Sequence, residues 1–227
     1  MPVQFSLTSA PRLTGQLTLA DLDLALELNI PHAQAEADRV GMARDNTALY
    51  WRMVFALLSV HSNFEHTCAA WLDLKGGEVE TRYPMATLTV LRRWRRIQYP
   101  LTKARFISDL WHGVHEGGQC YWPQGLDDTS YRDYLRVNTR GLAWAKGSFA
   151  VMLVKGSADV ACIDTHMWRL FHGAPRREQI KGPEYLELES RVRVLAQRHG
   201  VSTSVAQHAL WSGIRGTRDC LLPPEEG

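Results

Sequence analysis

The sequence predicts an all-α protein, and three observations carry that prediction. Apolar residues recur at helical spacing in one segment after another. The stretches between them hold helix breakers, among them Gly117-Gly118, Pro123-Gln124-Gly125 and Gly173-Ala174-Pro175. No run alternates apolar and polar residues over the length of a strand. With 227 residues the chain can bury a sizeable core, either as one large domain or as two small lobes that share a cleft.

Taken in order, Leu19–Leu28 is amphipathic with Thr18 in place to cap it, and Pro31 is expected to open a second short helix that runs towards Val40. Thr47–Val60 is apolar almost all round, which predicts a buried central helix. Asn63–Leu74 follows and stops at Lys75-Gly76-Gly77. Further helices are expected over Met85–Arg96, Thr102–His115, Thr129–Val137, Ala145–Val154, Thr165–Phe171, Pro183–His199 and Ser202–Ile214. The tail Pro223–Gly227 is expected to fray.

Composition excludes several classes. At 45% apolar and 22% charged residues the chain is neither disordered nor fibrous. Net charge is only +2, but Arg92, Arg93, Arg95 and Arg96 surround Trp94, and Arg176 and Arg177 form a second basic pair. Such clusters can neutralise phosphates, although an arginine run is more often a solvated helix face. Cys68, Cys120, Cys162 and Cys220 never form a CxxC pair, so no zinc or iron–sulfur signature is written here and no metal or other cofactor is expected. Neither a leader-like start nor eighteen uninterrupted apolar residues occurs, which reads as a cytoplasmic protein with no membrane partner.

The chemistry concentrates in Thr139–Arg169. Asn138-Thr139-Arg140-Gly141-Leu142-Ala143 reads as a tight turn between two helices. Its glycine permits a positive φ, and the amides that begin the next helix form a docking point for a phosphate. Lys146 lies in the first turn of that helix, where the positive end of the macrodipole disfavours the protonated amine. A lysine so placed can attack a sugar carbon and form a Schiff base. Asp164 comes eighteen residues later, after Val160-Ala161-Cys162-Ile163, and begins the helix that starts at Thr165. An N-cap is its commonest role, and capping leaves room for a second one. The helix after Lys146 advances roughly 15 Å. The residues beyond it can span about 25 Å, so the carboxylate is able to return to the amine.

These residues resemble the helix-hairpin-helix DNA glycosylase superfamily, and in particular endonuclease III and the archaeal oxidised-guanine glycosylases. Ile163-Asp164-Thr165-His166-Met167-Trp168-Arg169 is similar to the family's V-D-T-H-x-x-R segment, and lyase-active members place a lysine at the same separation. Leu57-Leu58-Ser59-Val60-His61-Ser62-Asn63 resembles its LLSxQ segment. Lys103-Ala104 resembles its K-A-x-x-I helix start, and Gln207-His208-Ala209-Leu210-Trp211 a late helix. Two departures concern the hairpin: Ala143 stands where a second glycine is usual, and Lys146 sits one place later than the usual lysine. The four-cysteine cluster of endonuclease III is absent, so no iron–sulfur cluster is expected.

The resemblance implies a two-lobed fold with a cleft between the lobes. Residues 44–145 would form the central lobe, which ends in the hairpin, and residues 1–43 with 146–227 the other. It also implies a monomer on double-stranded DNA that flips out a damaged or modified base. Asp164 and Lys146 would be catalytic, His61 would fill the vacated stack, and Arg140, Gly141, Leu142, Ala143 and Lys103 would contact DNA. An abasic-site lyase step would follow base release. Two alternatives stay open: a related enzyme acting on an enzymatically hypermodified, phage-type base, and a non-catalytic helix-hairpin-helix DNA-binding protein.

Overall fold

The computed structural model describes residues 17–224 except 78, 118–120, 124 and 175–179. Cys120, Arg176 and Arg177 therefore lie outside the described residues, as does the tail beyond Pro224. The described residues form ten α-helices and no strand: α1 Leu19–Val40, α2 Asn46–Leu58, α3 Phe64–Gly76, α4 Pro84–Leu91, α5 Pro100–His115, α6 Asp128–Asn138, α7 Trp144–Lys155, α8 Thr165–His172, α9 Pro183–Arg198 and α10 Thr203–Arg215.

Local chemistry starts most of them. Thr18 and Asp21 close a capping box at α1, and Asp45, Asn63, Asp127, Asp164 and Ser202 cap α2, α3, α6, α8 and α10 with side-chain oxygens. Pro84, Pro100 and Pro183 stand in the first turns of α4, α5 and α9.

Two boundaries differ from expectation. Pro31 does not begin a helix but lies inside α1. Pro31 and Glu27, whose carbonyl loses its intrahelical donor, both face solvent, while Leu22, Leu26, Ala33 and Ala37 continue the buried stripe. At α4 the helix ends at Leu91, so the arginine run is not on a helix face.

The chain divides into two compact units. One comprises residues up to Met42 together with Lys155–Leu221; the other comprises Ala43–Val154 and the residues from Leu222 on. In the first unit α10 is central and packs against α1, α8 and α9. In the second, α2 is the buried helix that the sequence predicts, and Met53, Val54, Phe55, Ala56, Leu57 and Leu58 are all at most 1% exposed. The boundary after the hairpin falls at the end of α7 rather than at its start. The reason is local: Ala43 donates to the Val154 carbonyl at 2.7 Å, Arg52 donates to the Leu153 carbonyl at 2.9 Å, and Phe149 packs on Phe55. Pro223, the first residue of the tail expected to fray, is buried.

Candidate active site

Asp164 belongs to the first unit. Its Oδ1 accepts from the backbone amides of His166 and Met167 at 2.9 and 3.0 Å, which caps α8. Its Oδ2 accepts from the indole Nε1 of Trp211 on α10 at 3.3 Å. The carboxylate is thus held at both oxygens while the residue stays half-buried. The segment that leads to it is fastened by α9. The Tyr185 hydroxyl donates to the Ala161 carbonyl at 2.5 Å and accepts from the Ile163 amide at 3.3 Å, and Glu189 accepts from the Ala161 amide at 3.0 Å. Tyr185 and Glu189 are themselves buried.

Sequence reasoning missed these three supports. Trp211 was visible only as part of a late helix, whereas Tyr185 and Glu189, spaced i, i+4 on α9, place a carboxylate on the same face as buried apolar residues, a signal that could have drawn attention to that helix.

The hairpin and Lys146 belong to the second unit. Gly141 has φ +90°, and a β-carbon there would lie 2.5 Å from Phe106 Cδ2 and 3.0 Å from Leu57 Cδ2. Only glycine fits both the backbone and the space. Leu142 is buried and roots the turn, while Ala143 is half-buried. Trp144, at the start of α7, lies under the Arg136 guanidinium at 3.5 Å and the Arg132 guanidinium at 5.1 Å, which ties α7 to α6 across the turn. Arg140 is exposed and pairs with Asp109 at 3.3 Å. Lys146 is half-buried, with its ammonium 5.1 Å from the centre of the Phe149 ring.

Lys103 differs from expectation. It is 3% exposed, and its ammonium turns inward to donate to the Leu58 carbonyl at 2.7 Å, the Val60 carbonyl at 2.6 Å and the Ser62 hydroxyl at 2.7 Å. All three of its protons are engaged within the protein, so a phosphate contact is not what this side chain makes. Burial, and the like charge of Lys146, push its pKa down to about 7. The acceptors it holds are orphan groups at the end of α2 and in the following turn, where His61 sits. His61 is exposed, at φ +49°, with its ring 6.3 Å edge-on from that of Tyr99, which is itself exposed at φ +53°. Two neighbouring non-glycine residues in left-handed conformations are uncommon in a structural turn.

Two of the tryptophans occupy different surroundings. Trp71 is fully buried with its indole nitrogen on the Trp51 carbonyl at 2.7 Å. Trp168 is half-buried and stacks on His172 at 3.8 Å. Among the described residues no group of three or more His, Cys, Asp or Glu side chains is placed to hold a metal ion, and no helix is long and apolar enough to cross a membrane.

No protein-family model and no curated protein matches the chain. Solved structures do. The 8-oxoguanine DNA glycosylase of Thermotoga maritima superposes with a TM-score of 0.72 at 22% identity, covering 88% of this chain and 97% of that one. The 8-oxoguanine DNA glycosylase of Methanocaldococcus jannaschii gives 0.65 at 16% identity, covering 84% and 86%. The glycosylase/lyase of the same organism, in complex with a 15mer DNA containing 8-oxoguanine, gives 0.66 at 16% identity, covering 86% and 91%. This chain shares the all-α fold of these three structures.

Proposed function

We propose that this protein is a DNA N-glycosylase that extrudes an oxidised guanine from double-stranded DNA, releases it, and then cleaves the abasic strand. The observation that carries the reading is the fold likeness to three 8-oxoguanine glycosylase structures over 84–88% of this chain, joined to a carboxylate, Asp164, held at both oxygens at a helix start.

As the glycosidic bond breaks, its electron pair leaves with the base and positive charge develops on the sugar. A fixed carboxylate stabilises that charge without reorganising. Lys146 Nζ forms the new bond to C1′ and loses its proton. The C1′–O4′ bond then opens, O4′ taking a proton, to leave a protonated imine that makes the C2′ proton acidic, and loss of that proton expels the 3′ phosphate. The Gly141 turn, with Arg140, Leu142 and Ala143, grips the backbone through phosphate, which positions the duplex without reading its sequence. His61 enters the stack that the base has left. The protein acts as a monomer, in the cytoplasm.

The test is a panel of duplexes carrying oxidised, alkylated, deaminated and phage-type modified bases, with base release scored separately from strand nicking. Wild-type protein is expected to release oxidised guanine, and Asp164→Asn to lose at least about a hundredfold in rate, the scale for removing one preorganised electrostatic group, while still binding the duplex. Release by the variant at the wild-type rate removes Asp164 from the chemistry. Preference for a phage-type base moves the substrate class, and nicking only after alkali removes the lyase step.

A further inference from the structure

The five residues Arg92-Arg93-Trp94-Arg95-Arg96 hold four of the chain's 26 basic residues. They do not lie on a helix but in two consecutive tight turns. The Arg93 amide donates to the Val90 carbonyl at 3.0 Å, Trp94 to Leu91 at 3.1 Å and Ile97 to Trp94 at 2.9 Å. Trp94 is the anchor. Its indole nitrogen donates to Asp73 Oδ2 on α3 at 3.0 Å, and its ring meets His66 edge-on at 5.9 Å. Ile97 is buried and closes the far end. The backbone is pinned at its centre and its end, and all four arginines point to solvent.

None of the four guanidiniums makes an ion pair or a side-chain hydrogen bond among the described residues. Elsewhere on the surface Arg39 pairs with Glu36, Arg191 with Glu187, Arg193 with Asp159 and Arg198 with Asp23. Four like charges in five residues repel one another and are kept without counterions from the protein. The acceptor they fit is a polyanion whose charges are themselves closely spaced.

We propose that the Arg92–Arg96 loop is a second DNA-contacting surface, separate from the hairpin, that grips duplex phosphates on one flank of the extruded nucleotide. Its place follows from chain geometry. Tyr99 comes three positions after Arg96, at most about 11 Å of chain, and the Tyr99 ring packs against that of His61. Since phosphates recur every 3.4 Å of axis along a strand, the loop reaches those about three steps from the position His61 occupies. The proposal rests on the glycosylase reading for the presence of duplex DNA.

The test measures how duplex affinity falls with salt. Each phosphate contact contributes about 0.9 to the slope of log K against log salt. Replacing all four loop arginines with glutamine is expected to lower that slope by about 2–4, whereas four lysines preserve it. Glutamine at the ion-paired Arg39, Arg191, Arg193 and Arg198 removes the same net charge and is expected to leave the slope as it was. Equal slopes for the wild type and the loop variant overturn the proposal while leaving the glycosylase reading intact. A similar loss from the control variant also overturns it, because net charge then explains the effect. A wild type that binds no duplex overturns both.

Discussion

Lys103→Met removes the ammonium that holds the turn carrying His61, and its consequences can be worked from the structure. Lowering the lysine from 10.5 to about 7 corresponds to about 5 kcal/mol, at 1.36 kcal/mol per tenfold change in proton affinity. Methionine relieves that burden but leaves the Leu58 and Val60 carbonyls and the Ser62 hydroxyl without their donor, a loss of about 1–3 kcal/mol each. The two effects largely offset at pH 7, so the variant is expected to fold with a stability within about 4 kcal/mol of wild type.

The pH dependence discriminates further. Between about pH 7 and 10.5 the unfolded chain binds a proton that the folded protein releases, so wild-type stability rises with pH across this window. The burden is present in full below pH 7. From pH 7 to pH 9 the wild type should gain about 2 kcal/mol relative to Lys103→Met, read from urea denaturation at the two pH values. Parallel stability curves would refute the reasoning, because they mean that the three acceptors keep the ammonium charged despite its burial.

Three further outcomes are expected. Gly141→Ala forces a β-carbon into the Phe106 ring at a φ of +90° and should destabilise the protein by about 2–5 kcal/mol through backbone strain and overpacking; a urea midpoint indistinguishable from wild type contradicts this. Lys146→Gln should abolish the borohydride-trappable adduct with abasic DNA, and persistent trapping assigns the nucleophile to another amine. Trp211→Phe removes the donor to Asp164 Oδ2 and leaves the α8 cap in place, so kcat for base release should fall roughly tenfold with little change in KM. A change confined to KM would give Trp211 a binding role instead.

The elements legible in the sequence are those whose cause is local. Asp45, Asn63, Asp127, Asp164 and Ser202 cap helices because a short polar side chain reaches amides two or three residues on. Gly141 is readable for the same reason, since a positive φ is a property of one residue. Where the sequence misleads, a distant contact outweighs the local signal. Pro31 is carried inside α1 because the buried stripe on either side of it packs against α10. The arginine run leaves α4 because Trp94 is drawn to Asp73.

By itself, then, the chain's pattern determined an all-α architecture, the turn at Gly141 and the cap at Asp164. The tertiary structure decided which side chains support them. Trp211 lies 47 residues from Asp164 in sequence, and Lys103 lies 45 from Leu58. Such partners meet only when helices pack, and helix periodicity records which face is apolar, not which donor on another helix will arrive beside a given oxygen. The same packing turned Lys103 from an expected DNA contact into an internal clamp and left Arg92, Arg93, Arg95 and Arg96 facing solvent.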